Sequence, residues 1–207
     1  EVLDVSRLQT PENWPKSVEL KTLELSQGMG RGAKIVQKYA NIGEQNAINR
    51  LNEFLEEKID QYKDRRDNLG EDFNSGLSEN LTWGEISARK MWFAAENAKR
   101  IGLRGAEHFQ KEIAWREFGY HLSYQTPQIE TENWRSEWNN FAWKGDCEDA
   151  ELWRQGRTGE PLIDAAMREL YITGKMHNRS RMLVASYLTK HLLIDWRVGK
   201  AWFEETL

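Results

Sequence analysis

Residues 153–207 read WRQGRTGEPLIDAAMRELYITGKMHNRSRMLVASYLTKHLLIDWRVGKAWFEETL. Apolar residues recur in this stretch every three or four positions, the spacing that places them on one face of a helix. One helix is predicted from about Leu162 to Thr173, with Gly174 as its stop, and another from about Asn178 to Leu193. No alternating strand pattern interrupts them, so the stretch predicts an all-α fold.

The same periodicity extends towards the amino terminus and predicts a helix over residues 44–65. Thr82 and Glu85 have the spacing of a capping box, which predicts the start of a second helix. A third is predicted from about Ala106 to Leu122. Residues 126–150 are rich in tryptophan but aperiodic, which indicates a long ordered loop with short helical turns.

The domain organisation follows from where the periodicity begins. Residues 1–42 contain prolines and glycines without a sustained pattern, which predicts an irregular arm or interdomain linker remnant. Residues 43–207 are predicted to form one helical domain with a sizeable core. Neither Glu1 nor Leu207 lies at a recognisable start or stop signal, so we expect both ends to be truncated relative to a longer protein.

Composition narrows the functional class. The single cysteine, Cys147, excludes an internal disulfide and a four-thiolate iron–sulfur cluster, and it favours a reducing, cytoplasmic location without a metal. The sequence has no signal-peptide pattern and no run of 18 apolar residues, so it gives no support for secretion or a membrane span.

Charge is distributed unevenly along the chain. The formal net charge is −4, yet residues 154–200 hold nine Lys/Arg against four Asp/Glu. A nucleic-acid surface would therefore be a local patch in this region, although from charge alone ordinary clustering of surface charge is the better explanation. The ten tryptophans suggest a thick helical core, a stacking platform or a redox path.

Four ordered blocks carry a family resemblance. They are GEQNAINRLNEFLEEKIDQYKDRRD from Gly43, NSGLSENLTWGEIS from Asn74, KEIAWREFGYHL from Lys111, and the stretch from Trp153 quoted above. Together they resemble the FAD-binding helical domain of the DNA photolyase/cryptochrome family, and within it the class I cyclobutane pyrimidine dimer photolyases. The resemblance implies a multi-helical domain that holds FAD, with its carboxyl-terminal part and the amino-terminal antenna domain outside this chain.

A polar loop precedes the capping-box segment and consists of Asn74, Ser75, Gly76, Leu77 and Ser78. Taken alone, such a loop is more often only a helix-start loop. In the family it resembles, an equivalent loop and a tyrosine twelve residues earlier grip the FAD phosphates, and Tyr62 and Asn74 keep that spacing. Asn74 replaces a threonine of the family pattern, which exchanges a hydroxyl for an amide that can still donate to phosphate.

Glu112 and Arg116 lie four residues apart, so by themselves they would be interpreted as a surface ion pair on one helix face. The resemblance places Glu112, Trp115 and Arg116 beside the flavin and the lesion pocket. It implies that Trp115 stacks on a flipped-out pyrimidine dimer, that Glu112 hydrogen-bonds the damaged bases and that Arg116 contacts the cofactor.

The run from Asn178 to Met182 places Asn178, Arg181 and Met182 on one helix face. An asparagine at a helix start is otherwise often only a cap. The resemblance implies that Asn178 sits at flavin N5, that Arg181 lies beside the ring, and that Arg179 and Met182 face the DNA lesion. Family members that repair (6-4) photoproducts carry histidines at the positions of Asn178 and Met182, which favours cyclobutane dimers here.

Two tryptophans, Trp143 and Trp196, match the outer and middle members of the family's electron-transfer chain, although any single tryptophan is more often a core residue. Two further positions depart from the family pattern, since Lys175 replaces a tryptophan and Glu160 replaces a tyrosine. Lys175 is predicted to lie in a connecting turn, where local repacking is expected.

The resemblance implies blue-light-driven repair of pyrimidine dimers in damaged DNA by electron transfer from reduced FAD, with no metal. Arg179, Arg181, Lys190 and Arg197 are candidates for a phosphate-binding rim. Two alternatives stay open at this point. One is a cryptochrome-type photoreceptor without repair, and the other is a helical chain that does not retain FAD. The sequence does not indicate the antenna chromophore or the oligomeric state.

Overall fold

Helices form the regular structure in residues 11–25, 27–29 and 32–207, which are the residues that the computed structural model describes. Within these ranges there is no named strand, and the only β pairing is an isolated bridge between Lys144 and Ile194. The all-α prediction is confirmed. Part of the predicted arm, namely residues 1–10, 26, 30 and 31, lies outside the described residues, and the boundary at residue 42 stays a prediction.

Ten α-helices follow one another along the described residues. They are α1 (Gly32–Val36), α2 (Glu44–Glu53), α3 (Tyr62–Arg65), α4 (Ser78–Thr82), α5 (Ala88–Arg100), α6 (Ala106–Gln125), α7 (Glu148–Arg154), α8 (Pro161–Thr173), α9 (Asn178–Ser186) and α10 (Trp196–Thr206). Two π-helical segments, Phe54–Lys58 and Tyr187–His191, extend α2 and α9.

A first apolar core lies among α2, α3, α5 and α6. Its largest buried side chains include Phe54, Ile59, Tyr62, Met91 and Phe109. The start of α6 approaches the end of the π-helical segment so closely that a Cβ placed on Gly105 would lie 1.9 Å from the main-chain oxygen of Ile59. Only glycine fits at this crossing, so Gly105 fixes how α6 packs on the first core.

A second apolar core lies among α7, α8, α9 and α10. Trp153 is fully buried at its centre and donates a hydrogen bond from Nε1 to the main-chain oxygen of Val184, at 3.0 Å. A Cβ on Gly199 would lie 2.6 Å from a methyl group of Leu188, so α10 also packs closely through a glycine. The long fourth block of the sequence therefore folds as one packing unit.

The structure corrects the predicted beginning of the second helix. The prediction of a capping box at Thr82 and Glu85 is wrong. Thr82 is the last residue of α4, and α5 begins at Ala88 with Ser87 as its cap. The Ser87 side chain accepts a hydrogen bond from the amide of Lys90, at 3.1 Å. The carboxylate of Glu85 instead accepts from the amide of Gly43 at 2.8 Å, across the fold.

The other helix predictions are confirmed in position and refined at their ends. The helix predicted over 44–65 is interrupted after its π-helical segment and resumes as α3. The helix predicted from Asn178 is α-helical to Ser186 and ends in a π-helical turn. Residues 126–150 contain two 3-10 turns, as expected, but α7 already begins at Glu148. None of the described helices has the length and apolar character needed to cross a membrane.

Candidate functional site

The beginning of α9 carries four of the predicted site residues, namely Asn178, Arg179, Arg181 and Met182. His177 is the cap of this helix, and its side chain accepts a hydrogen bond from the amide of Arg179 at 3.1 Å. Asn178 is therefore the first helical residue and not the cap, and its exposed side chain is free of that local role. Asn178, Arg181 and the exposed Met182 follow at three- and four-residue spacing on this helix, as predicted.

Arg181 is a partly buried cation at this helix start. Its Nε donates to the main-chain oxygen of Met176 at 3.1 Å, and no ion pair within the described part of the chain involves it. Burial lowers the pKa of Arg181 below its ordinary value, although the guanidinium stays charged at neutral pH. A partly buried charge without a carboxylate partner is costly, so this position suits a negatively charged ligand.

A polar seam joins the two apolar cores, and we define it by Arg66, Asp67, Glu112, His177 and Arg179. Arg66 forms an ion pair with Glu112 on α6 and approaches Asp67 at 3.5 Å. Asp67 accepts two hydrogen bonds from Arg179, at 2.9 and 2.7 Å. The adjacent residues Arg66 and Asp67 therefore link Glu112 to Arg179. Both Glu112 and Arg179 are predicted lesion-facing residues.

Electrostatic effects in the seam are consistent with its geometry. The hydrogen bonds from Arg179 hold the pKa of Asp67 below its ordinary value. Burial opposes the charge of Arg66, but the hydrogen bond to Glu112 helps to raise the pKa of Arg66 above its ordinary value. The Asp67 carboxylate and the guanidinium groups of Arg66 and Arg179 are thus charged at neutral pH.

Tyr62 does not lie in an open loop, since its ring is buried in the first core. It makes edge-on contacts with Phe54 and Phe109, with ring centroids 5.3 and 5.7 Å apart. Burial raises the pKa of Tyr62 to about 12, so its hydroxyl stays protonated and is able to donate a hydrogen bond. Arg66 lies over the same ring at 5.2 Å, which places Tyr62 beside the polar seam.

The predicted phosphate loop precedes α4. Leu77 anchors it in the first core, and Gly76 has a positive φ of 61° that favours glycine. The side chains of Asn74, Ser75 and Ser78 make no hydrogen bond within the described part of the chain, so they have donors to offer a ligand.

Arg50, Glu79 and Lys175 support this loop from behind. Arg50 donates to the main-chain oxygen of Gly76 and forms an ion pair with Glu79 at 2.8 Å. Lys175 contacts the same carboxylate oxygen at 3.2 Å and also donates to the main-chain oxygen of Tyr39. Lys175, which replaces a tryptophan of the family pattern, therefore lies in the predicted connecting turn and links that turn to α4 through Glu79.

The exposed half of α6 carries the remaining predicted lesion residues. Trp115 is 66% exposed and makes an edge-on contact with Phe118 at 5.6 Å. Arg116 donates to Glu117 at 2.6 Å and to Tyr120 at 3.2 Å. The simple ion pair between Glu112 and Arg116 does not form, because Glu112 turns towards Arg66 instead.

Trp143 and Trp196 lie in neighbouring segments that are paired through Lys144 and Ile194. Trp143 packs against Phe141 at 4.4 Å and against Trp138 at 6.1 Å. Trp138 and Trp196 both line a surface cavity of about 460 Å³. The rings of Trp143 and Trp196 make no direct aromatic contact within the described residues. Trp138 contacts the ring of Trp143 and lines the same cavity as Trp196.

The phosphate-rim candidates divide into two kinds. Lys190 is exposed, whereas Arg197 is already paired with Asp195 at 2.8 Å. In the described ranges, His, Cys, Asp and Glu residues form no group arranged to hold a metal ion. Three cations of residues 154–200 pair with carboxylates outside that range, namely Arg179 with Asp67, Lys175 with Glu79 and Arg154 with Asp146, so part of the positive excess is neutralised.

Sequence reasoning missed Arg50, Arg66, Asp67 and His177. Arg66 and Asp67 lie in the RRD triplet at the end of a recognised block, which was the available signal. Their roles depend on contacts with α6 and α9, and local spacing does not reveal such distant partners.

This chain is similar in sequence to proteins of known function. Residues 109–207 match the family model described as the FAD binding domain of DNA photolyase. A deoxyribodipyrimidine photo-lyase of Agrobacterium fabrum is 40% identical over 201 residues, which cover 97% of this chain and 42% of that protein. The chain thus spans about two fifths of the length of this curated relative.

Solved structures share the fold. A bacterial class III photolyase from Agrobacterium tumefaciens superposes with a TM-score of 0.90 at 40% identity, covering 97% of this chain and 42% of that one. A cryptochrome of Synechocystis superposes with a TM-score of 0.75 at 33% identity, covering 82% of this chain and 37% of that one.

Proposed function

Because this chain belongs to the DNA photolyase/cryptochrome family, we propose that the protein containing it repairs cyclobutane pyrimidine dimers in DNA, using FAD and blue light. The observation that carries the proposal is the partly buried Arg181, which has no carboxylate partner within the described residues and lies on the same helix face as Asn178 and Met182.

The residues present fit FAD. Tyr62 and the unpaired polar side chains of Asn74, Ser75 and Ser78 would bind its phosphates, since each can donate a hydrogen bond. Asn178 would face flavin N5, where an amide can donate or accept. Arg181 would compensate the charge of the reduced ring, and Arg116 would add a further contact to the cofactor.

When bound, reduced FAD would supply the light-driven electron transfer by which the cyclobutane ring is opened. The chain's own residues orient the lesion. Trp115 offers an exposed aromatic face for a flipped-out base, and Glu112 is held by Arg66 as a hydrogen-bond acceptor. Arg179 and Met182 complete the side that faces the DNA.

Trp143 and Trp196 would carry electrons from the surface when the flavin has become oxidised. Trp143 is partly exposed and packs in a cluster of three aromatic rings, while Trp196 donates from Nε1 to Asn133 at 2.8 Å. A ring that hydrogen-bonds and stacks in this way is held in a fixed position, which suits stepwise transfer between neighbours.

Separate observations support the proposed substrate and subclass. Asn178 and Met182, in place of histidines, favour cyclobutane dimers over (6-4) photoproducts. Similarity to a class III photolyase at a TM-score of 0.90 supports class III rather than the class I resemblance of the sequence.

The single cysteine favours a cytoplasmic location.

A second candidate function is a blue-light receptor without repair, which the similarity to the Synechocystis cryptochrome supports. Survival of ultraviolet-irradiated bacteria that lack their own photolyase separates the two. We expect cells that produce the protein to recover survival under blue light and not in the dark. Equal survival in light and dark would favour the receptor and overturn the repair proposal.

A further inference from the structure

We propose that Asp67 is a positioning residue that orients Arg179 so that the protein prefers damaged over undamaged DNA. The inference rests on the proposed repair function, and it assigns a task to a residue that does not itself touch the lesion. Asp67 follows α3 in sequence, whereas Arg179 lies in the first turn of α9, so their pairing spans the polar seam between the two cores.

The contact between Asp67 and Arg179 has the geometry of an orienting pair. Oδ1 of Asp67 accepts from Nε of Arg179 at 2.9 Å, and Oδ2 accepts from Nη2 at 2.7 Å. Two parallel hydrogen bonds fix the plane of a guanidinium, which a single contact to an ammonium group cannot do. The edge of Arg179 that carries Nη1 is left for another acceptor.

Exposure of the pair indicates that its role is orientation more than stability. The side chains of Arg179 and Asp67 are 47% and 48% exposed. Ion pairs at such exposure contribute little to folding because water screens them. A DNA phosphate or base approaching from solvent can nevertheless reach the free edge of Arg179 in the orientation that Asp67 has set.

The main chain of Arg179 is fastened to the same place. His177 Nδ1 accepts from the amide of Arg179, so Nδ1 carries no proton in this arrangement. Nε2 of His177 lies 2.8 Å from the main-chain oxygen of Arg66, and it must therefore carry the proton and donate. Both the side chain and the main chain of Arg179 are thus tied to the pair Arg66 and Asp67.

Arg66 extends this arrangement to the other side of the proposed lesion site. It forms the ion pair with Glu112 on α6, while its neighbour Asp67 holds Arg179 on α9. Two proposed lesion contacts from different helices are consequently positioned by two adjacent residues. Loss of the Asp67 carboxylate would release one of these contacts and leave the other in place.

This arrangement predicts opposite effects on two kinds of DNA. Replacing Asp67 by asparagine removes a negative charge, so affinity for undamaged DNA should rise by about twofold through phosphate attraction. The same change frees Arg179, so the preference for a duplex with one cyclobutane dimer should fall by roughly fivefold. A merely structural defect would weaken both kinds of binding together.

The test is a fluorescence-anisotropy titration of the FAD-loaded protein with two duplexes that differ only in the dimer, at two salt concentrations. Asp67→Asn is compared with Asp146→Asn, which removes the same charge from an ion pair with Arg154 (2.7 Å) that does not belong to the polar seam. The control should raise affinity for both duplexes equally and keep the preference.

Arg179→Lys is the second variant, and it keeps the positive charge but cannot form the two-bond fork with Asp67. It should lose most of the preference for the dimer while its melting temperature stays at the wild-type value, because the exposed ion pair contributes little to folding. It also keeps the inference testable if Asp67→Asn does not fold. If the wild type prefers the dimer-containing duplex and both variants keep the same preference, the positioning role of Asp67 is overturned, but the proposed function is not. A wild type with equal affinity for both duplexes overturns the proposed function as well.

Discussion

Arg181 donates a hydrogen bond from Nε to the main-chain oxygen of Met176, 3.1 Å away, and no ion pair compensates its charge within the described part of the chain. The two guanidinium groups of the polar seam, those of Arg66 and Arg179, each have a carboxylate partner. The difference singles out Arg181 as the cation reserved for a ligand.

Replacing Arg181 by methionine should separate stability from cofactor binding. Removing a partly buried, uncompensated charge should raise the melting temperature of the FAD-free chain by about 2–4 °C. It should also lower the midpoint potential of bound flavin by about 30–60 mV, because the negatively charged reduced form loses its counter-charge. Calorimetry and redox titration measure the two effects. An unchanged potential would contradict a position beside the flavin ring.

Ser75→Ala and Ser87→Ala should give opposite patterns. The Ser75 hydroxyl has no partner in the described residues, so its loss should leave stability unchanged and weaken FAD binding about tenfold. Ser87 caps α5, so its loss should cost about 1 kcal/mol of unfolding free energy and leave FAD affinity unchanged. Denaturant unfolding and FAD titration together check both variants, and an FAD affinity unaffected by Ser75→Ala would remove the phosphate-loop assignment.

Trp143→Phe should affect photoreduction of oxidised flavin without abolishing repair by flavin that has been reduced chemically. Phenylalanine keeps the packing against Phe141 but holds an electron hole far less readily, so photoreduction should fall to less than about a tenth of the wild-type rate. Transient absorption after a blue flash measures it. Trp83→Phe, at an 81% exposed tryptophan, is the matched control and should behave as wild type.

The helical fold was largely predictable because apolar periodicity directly reports which faces are buried. The predicted third helix from Ala106 and the helix ending before Gly174 agree with α6 and α8 at those ends. The break after α2 was not predictable in this way. Its π-helical segment, Phe54–Lys58, shifts the register while keeping apolar residues near the expected spacing.

The site was predictable only where a block of sequence resembles the family. Local spacing misled at Glu85, whose carboxylate accepts from Gly43 and Asn80 rather than capping a helix. It misled again at Glu112, whose partner Arg66 lies in another block of the sequence. Such contacts depend on how α3, α6 and α9 pack together, and this packing leaves no periodic trace.

Two glycines near α6 provide a test of the packing. Gly105→Ala should cost about 2–3 kcal/mol of unfolding free energy, because its Cβ would meet the main-chain oxygen of Ile59 at 1.9 Å. Gly119→Ala has open space around it inside the helix and should stabilise by about 0.5–1 kcal/mol. Chemical denaturation compares them, and equal effects would contradict the close crossing of α6 and the first core.

Repair is measured most directly as the loss of dimers from an oligonucleotide with one cyclobutane thymine dimer, using the purified protein with chemically reduced FAD. Chromatography of the DNA before and after illumination reports the amount repaired. The expected result is loss of the dimer under blue light, with intact thymines regained, and no change in the dark. If the protein binds reduced FAD but no dimer is lost in the light, the result would contradict the proposed repair function.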